Sequence, residues 1–356
     1  MGQGSVTISL VQELGLDRLA SLAIMGLGKN AGKTTVLNHI VRACSQSDFS
    51  RVLALTSVGR DGEDEDLVTG GVKPRIFVKE GSLVATSCSS VGKCDAVLEV
   101  LALTGIHTAA GEIAIARARS GGYLELAGPS MAQDLSLCEK LLRQQEPDCL
   151  FLVDGALDRK SQAGGGLTKA VILVAGMDNA ATMEVLAEKT AAQASLLTLP
   201  SMAETDRRIM QEVMDEKPGA RAVITGEGGT VRRVLEMPAL VGHERQVAEA
   251  LLPDDRVLLL RGAVTERLVD ALLSTRGVQG MTWAAEDGTR FFITGRTLAR
   301  LKRQKVKLAV IHELTLPAIF VNPARRDGSQ VDGKALRETV RAVVDLPVFE
   351  LGPALD

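Results

Sequence analysis

The chain has 356 residues, of which 46% are hydrophobic and 24% charged, and its formal net charge is -3. This composition is typical of a globular protein with about two domains, at roughly 150 residues each. The balance of 41 basic against 44 acidic residues does not favour a nucleic-acid-binding surface or a polybasic membrane anchor. Aromatic residues make up only 3%, which argues against stacking of single-stranded bases.

The cysteines and the apolar runs indicate in which cellular compartment the protein is expected. The five cysteines are scattered and contain no Cys-x-x-Cys pair, which is typical of reduced thiols. The N-terminal residues lack the pattern of a signal peptide, and no stretch approaches the roughly 18 apolar residues of a membrane span. We therefore expect a soluble, cytoplasmic protein with neither a membrane nor a nucleic-acid partner. The 35 glycines are the unusual feature of the composition.

Short aliphatic runs alternate with helical periodicity in the first 200 residues, which predicts an α/β fold with a mainly parallel sheet. The predicted strands are residues 22–25, 52–56, 123–127, 149–154, 170–175 and 196–199. Two further runs, residues 76–78 and 83–86, predict a hairpin. The predicted helices are residues 34–44, 131–145 and 179–193.

A charged segment that ends at Pro218 and Gly219 indicates a domain boundary. We therefore predict an N-terminal domain over residues 1–215 and a smaller C-terminal α/β domain over residues 216–356. In the latter, strands are expected at 222–225, 256–260, 307–311 and 319–321, helices at 264–273 and 333–343, and a hairpin around 286–288.

The predicted strand at residues 22–25 leads directly into a glycine-rich turn and then an amphipathic helix. Glycines let successive backbone N–H groups point at phosphate oxygens, and the start of a helix adds partial positive charge. Lys33 can reach the β- and γ-phosphates of a nucleotide, and the Thr34 hydroxyl can coordinate Mg²⁺. The predicted nucleotide-binding residues are Gly28, Lys29, Asn30, Ala31, Gly32, Lys33, Thr34 and Thr35.

Two acidic positions are candidate partners of this loop. Asp154 ends an apolar run and precedes a glycine, as expected for a carboxylate that orients Mg²⁺ from a neighbouring strand. Asp61 and Glu63 follow the second predicted strand, where they could hold the metal or position the attacking water. The acids that come next, residues 64–66, are more typical of a solvated loop. Late in the chain, Asn322 precedes a proline; it either forms an ordinary turn or faces a ligand together with Arg325.

The loop resembles the Walker A loop of P-loop NTPases. Its first glycine, Gly26, lies six residues before Gly32, which is similar to the dethiobiotin synthetase and molybdopterin-guanine dinucleotide adapter branches. The resemblance implies a three-layer P-loop fold that binds ATP and Mg²⁺. Deviant Walker A loops carry a second lysine five residues before the invariant one, but that position is Gly28 here. Lys29 is then expected to add positive charge to the loop.

A broader resemblance, to P-loop subunits associated with the reactivation of lysine 5,6-aminomutase, covers most of the chain. It rests on residues 28–35, 59–63, 153–159, 321–323 and 347–349. It implies an ATPase that couples nucleotide binding or hydrolysis to a protein partner, such as a B12-dependent aminomutase or a second reactivase subunit. Association into a homodimer stays an open alternative.

Two alternatives remain for the function that the nucleotide serves in this protein. The sequence lacks the Asn/Thr-Lys-x-Asp element that a guanine-specific GTPase needs after a late strand, so ATP is favoured over GTP. The first alternative is the partner-coupled ATP hydrolase, with Lys33, Asp61 and Glu63 as catalytic residues and Thr34, Asp154 and Asp61 at the metal. The second is a small-molecule kinase or an ATP-dependent ligase of the dethiobiotin synthetase type.

Overall fold

A computed structural model describes residues 10–58, 75–155 and 168–352. The chain divides into two compact units. In the described part, unit 1 contains the residues up to Ala187 together with those from Leu316 onwards, and unit 2 contains Glu188–Thr315. This division differs from the single boundary expected after residue 215, because the chain returns to unit 1 near its C-terminus.

Unit 1 is built on a nine-stranded sheet in the order β18-β17-β9-β1-β8-β2-β4-β6-β5, with a separate two-stranded pair, β3-β7. Its strands are β1 Ser21–Gly26, β2 Leu53–Ser57, β3 Ile76–Val78, β4 Leu83–Ser87, β5 Leu98–Thr108, β6 Gly111–Ala118, β7 Gly122–Leu124, β8 Leu150–Asp154, β9 Ala170–Gly176, β17 Ile319–Asn322 and β18 Val348–Glu350.

Pairing in this sheet is parallel from β18 to β4 and antiparallel for β4-β6 and β6-β5. Strands β1, β8 and β9 are nearly continuous aliphatic runs because parallel strands are covered on both faces. Leu22, Ile24, Leu152 and Ile172 are fully buried in one core cluster. The predicted α/β class with a large, mostly parallel sheet is thus confirmed.

Unit 2 contains a five-stranded sheet in the order β11-β10-β12-β14-β16 and a short pair, β13-β15. Its strands are β10 Ala220–Thr225, β11 Val231–Glu236, β12 Val257–Leu260, β13 Val264–Thr265, β14 Thr282–Ala285, β15 Phe291–Phe292 and β16 Lys307–Val310. Strands β12, β14 and β16 are parallel, and β10 is antiparallel to both of its neighbours. Two core clusters, one of which contains Trp283 and the other Met210, pack this unit.

The helices of both units are numbered here in chain order. They are α1 Lys33–Gln46, α2 Cys88–Val91, α3 Ala132–Gln145, α4 Met183–Leu197, α5 Glu204–Glu216, α6 Glu244–Glu249, α7 Glu266–Leu273, α8 Gly295–Arg303 and α9 Gly333–Arg341. No helix in the described ranges is both long and apolar enough to cross a membrane.

Three local predictions were wrong. The runs at 76–78 and 83–86 are strands but not a hairpin, because β3 pairs with β7 while β4 lies between β2 and β6. The expected strand at 196–199 begins in the last turn of α4, whose register buries Leu196 and Leu197. The turn at 286–288 joins β14 to β15, which pair with different strands.

The cysteines should differ sharply in reactivity. Cys44, Cys138 and Cys149 are buried, and Cys88 is exposed. Burial raises the pKa of Cys44 and of Cys138 to about 12, and it also raises the pKa of Cys149. Because the thiolate is the reactive form, Ellman's reagent at pH 8 should label Cys88 rapidly and these three thiols only after denaturation. Fast labelling of all five thiols in the native protein would contradict these positions.

Candidate functional site

The candidate site lies where the parallel strands of unit 1 end. Ile24 of β1 is in register with Asp154 of β8, and Asp154 is in register with Ser57 of β2. On the other side of β1, Gly176 of β9 is in register with Asn322 of β17. Ligands of open α/β sheets bind at this carboxyl edge, so the loops that follow these strands form one candidate site.

The glycine-rich turn after β1 curls into the first turn of α1. Its conformation includes two residues with positive φ, Asn30 at 56° and Gly32 at 105°. Gly32 is also the N-cap of α1, and as a glycine it supplies no capping side chain to the first N–H groups of the helix. Successive amides in such a turn form an anion-binding concavity, and the first helical turn contains no acidic residue to oppose an anion.

The turn is held tightly against the end of β9. The Leu27 N–H donates to the Val174 carbonyl at 2.9 Å. Asn179 lies against Gly28, and its Nδ2 donates to the Lys29 carbonyl at 3.2 Å. These contacts fix the backbone of the turn from a neighbouring strand, as a preorganised binding loop requires.

Gly176 is the position where this close packing can be tested. A Cβ there would lie 2.8 Å from the Ala31 Cα and 3.0 Å from its carbonyl oxygen, so Gly176→Ala must displace the turn. We expect a loss of about 1–3 kcal/mol in the free energy of unfolding, measured by urea denaturation. Gly92→Ala is the matched control, since its Cβ would meet only ordinary contacts at 3.8 Å. Equal stability of the two variants would contradict the tight turn.

Thr34 and Asp154 meet across the strand edge. The Thr34 Oγ1 donates to the Asp154 Oδ2 at 3.1 Å. The backbone of Asp154 is fixed in turn, because its carbonyl accepts from the Val58 N–H at 2.9 Å. A hydroxyl and a carboxylate in direct contact, next to the start of a helix, are hard oxygen ligands of the kind that Mg²⁺ binds together with water and phosphate.

The remaining loop residues surround this pair. Lys33, the first residue of α1, is half-buried, as are Thr34 and Thr35, and Ala31 is fully buried. Lys29 is exposed at the outer side of the turn. The structure thus brings together all eight predicted nucleotide-binding residues and Asp154. Asp61 and Glu63 lie outside the described residues.

Sequence reasoning missed Arg326, which reaches the turn from the segment after β17, and Asp178, which Arg326 contacts. Arg326 contacts the side-chain amide of Asn30 and also Asp178, with 3.3 Å between the Arg326 Nε and the Asp178 Oδ2. The Arg326 N–H donates to the Asp178 Oδ1 at 2.9 Å. Asn322 lies near Gly32, and Arg325 donates to the Ala181 carbonyl at 3.0 Å. The sequence signal for this part of the site was a run of polar residues after an apolar strand. Only the pairing of β17 with β9 shows which residues they contact.

Three basic side chains lie in or beside the turn. Lys29 and Lys33 belong to the turn itself, and Arg326 adds a guanidinium that is 63% exposed. Burial lowers the pKa of His39 on α1, and Arg42 lowers it further, so this imidazole adds no charge at neutral pH. Within the described ranges, no group of three or more His, Cys, Asp or Glu side chains could hold a metal.

Comparison with known proteins adds no relative: no protein-family model matches the chain, and no curated protein matches it significantly.

Proposed function

We propose that this chain is a P-loop ATPase that binds Mg-ATP at the carboxyl edge of unit 1. The observation that supports it most directly is the 3.1 Å contact between Thr34 and Asp154, placed directly after a strand, a glycine turn and Lys33. This is the order in which a P-loop presents its lysine, its metal-binding hydroxyl and the carboxylate of a second strand. The three-layer P-loop fold is part of this proposal.

The residues present fit the nucleotide. The turn offers N–H groups at the start of α1 without a competing cap, which suits phosphate oxygens. Lys33 supplies the positive charge next to the β- and γ-phosphates, and Thr34 and Asp154 hold the metal, directly or through water. When bound, the metal neutralises charge on the transferred phosphoryl group. Asp61 and Glu63 are proposed to position the attacking water or the metal shell.

We further propose that nucleotide binding is coupled to a protein partner. The basis is the resemblance to aminomutase-reactivating P-loop subunits, which implies a partner of that kind, either a B12-dependent aminomutase or a second reactivase subunit. The preference for ATP rests on the absence from the sequence of the guanine-specific element. Turnover of the isolated chain is expected to be slow, because partner-coupled sites are often completed on association.

Phosphate release by the full chain tests the proposal and separates its alternatives. With Mg²⁺ present, release from ATP should exceed release from GTP, and a protein partner should stimulate it. Stimulation by a small metabolite, with transfer of phosphate to that metabolite, would favour the kinase or ligase alternative. Neither nucleotide binding nor hydrolysis under any of these conditions would sink the ATPase proposal.

A further inference from the structure

Unit 2 has an open edge along β16. On one side this strand pairs with β14: the Lys307 N–H donates to the Met281 carbonyl at 2.9 Å, and the ladder continues to Val310. On the other side, only Val310 is engaged: its N–H donates to the Pro200 carbonyl, and its carbonyl accepts from the Met202 N–H. By the alternation of a strand, the N–H and C=O of Leu308 also face outward. No residue in the described ranges forms a backbone hydrogen bond with that pair.

A cavity of about 470 Å³ lies along this edge. Its walls are mainly apolar and come from α8, β16 and the segment after α4; they include Leu199, Met202, Leu298, Leu301, Val306 and Leu308. All of its lining residues belong to unit 2. The volume lies in the range of ligand-binding clefts, and one wall carries Leu308 of the open strand edge, to which an extended chain could add.

The charge on α8 and β16, which flank the cavity, is basic; one carboxylate, that of Glu313, accepts from the N–H of the lining residue Ser201 at 2.6 Å. Between Gly295 and Val310 there are six basic residues and no acidic one, although the whole chain has a net charge of -3. They are Arg296, Arg300, Lys302, Arg303, Lys305 and Lys307. Arg300 is paired with Asp270 at 2.7 Å. The other five have no acidic partner within the described ranges, and Lys302 and Lys307 line the cavity itself, whose lining contains no carboxylate.

We propose that this groove binds an acidic peptide segment of a partner protein in extended conformation, added as a further strand beside β16. The Leu308 amide and carbonyl provide backbone hydrogen bonds, and the apolar walls accept alternate side chains. Lys302 and Lys307 meet carboxylates that flank those side chains. Charge complementarity favours this occupant over a neutral or basic peptide. The proposal does not depend on the nucleotide site in unit 1.

A randomised octapeptide library, displayed on phage and selected with the full chain, provides the probe. Sequences that alternate apolar and acidic residues should be enriched. The best of these peptides, labelled with fluorescein, is then measured by fluorescence polarisation. The double variant Lys302→Glu/Lys307→Glu should weaken its affinity at least about tenfold, because two charge-assisted contacts become repulsive. Both lysines are exposed, so the variant should fold, which circular dichroism checks.

A matched control and a backbone test separate this groove from general attraction between charges. Lys217→Glu reverses an exposed charge at the far end of α5 and should leave the affinity unchanged. N-methylation of the peptide at alternate amides should abolish binding in one register and preserve it in the other, since only one set of N–H groups faces β16.

Several outcomes would overturn the proposal. One is that selection with the unmodified chain enriches acidic sequences no more than selection with the double variant does. Another is that Lys217→Glu loses as much peptide affinity as the double variant. Tolerance of N-methylation in both registers would show that the peptide does not extend the sheet. If decanoate displaced the peptide at millimolar concentration and bound with an affinity equal to that of the peptide, the groove would be a site for amphipathic anions instead. Concentration-dependent dimerisation that the double variant abolishes would make a second copy of the chain the occupant.

Discussion

Replacing Lys33 with alanine is expected to lower the affinity for Mg-ATP by roughly 10- to 100-fold, the loss of one or two charge-assisted contacts to phosphate. Lys33 is half-buried at the first position of α1, directly after the Gly32 turn. The exposed Lys29 lies on the outer side of the same turn. The affinity is measured by isothermal titration calorimetry.

The control for this variant is Lys140→Ala, which removes an exposed lysine from α3 without touching the turn. Its ATP affinity should equal that of the unmodified chain. Thermal unfolding of both variants establishes that they are folded. Unchanged nucleotide affinity in a folded Lys33→Ala protein would remove Lys33 from the site, and with it the central argument for phosphate binding.

Asp154→Asn is expected to reduce Mg²⁺-dependent ATP hydrolysis by about 100-fold, while nucleotide binding in EDTA stays nearly unchanged. The substitution keeps the shape of the side chain and leaves an oxygen that can still accept from the Thr34 hydroxyl. It removes the negative charge that would hold the metal and its water shell. The effect should therefore appear in the dependence of hydrolysis on Mg²⁺ concentration.

The matched control is Asp148→Asn, two residues before β8 begins. The Asp148 side chain is 87% exposed and forms a 3.4 Å ion pair with Arg51. Its removal should not alter hydrolysis, because exposed ion pairs contribute little. If Asp154→Asn and Asp148→Asn hydrolyse ATP with the same Mg²⁺ dependence, Asp154 does not act on the metal.

The sequence was most informative where a pattern is local. The aliphatic runs that became β1, β8 and β9 were predicted to within one residue at most ends, because strands covered on both faces are continuous apolar stretches. The glycine turn with its lysine and threonine is likewise a contiguous signal. The contact of Thr34 with Asp154 followed from the expectation that parallel strands end at one edge.

Pairing was harder to predict because it depends on partners far away in the sequence. The long antiparallel strands β5 and β6 were not predicted at all; β5 is an edge strand that leaves Val100 and Leu103 exposed, so its pattern is irregular. The short run that became β17 looked as if it belonged to the C-terminal domain. It pairs with β9, and three apolar residues do not specify which sheet they join.

The same limit explains the missed part of the candidate site. Arg326 and Asp178 come from loops after β17 and β9, and neither loop carries a recognisable motif. Arg326 reaches Asn30, and Asp178 reaches Arg326, because these two strands are adjacent in the sheet. The late Asn322 was considered as a ligand-facing residue, but its position beside Gly32 became evident only from the structure.

The central claim is that the turn after β1 binds Mg-ATP, and one calorimetric titration of the full chain with ATP in the presence of Mg²⁺ tests it most directly. The account predicts saturable binding at one site per chain, with weaker binding of GTP under the same conditions. Absence of any saturable heat up to millimolar ATP, in a protein that circular dichroism shows to be folded, would contradict it.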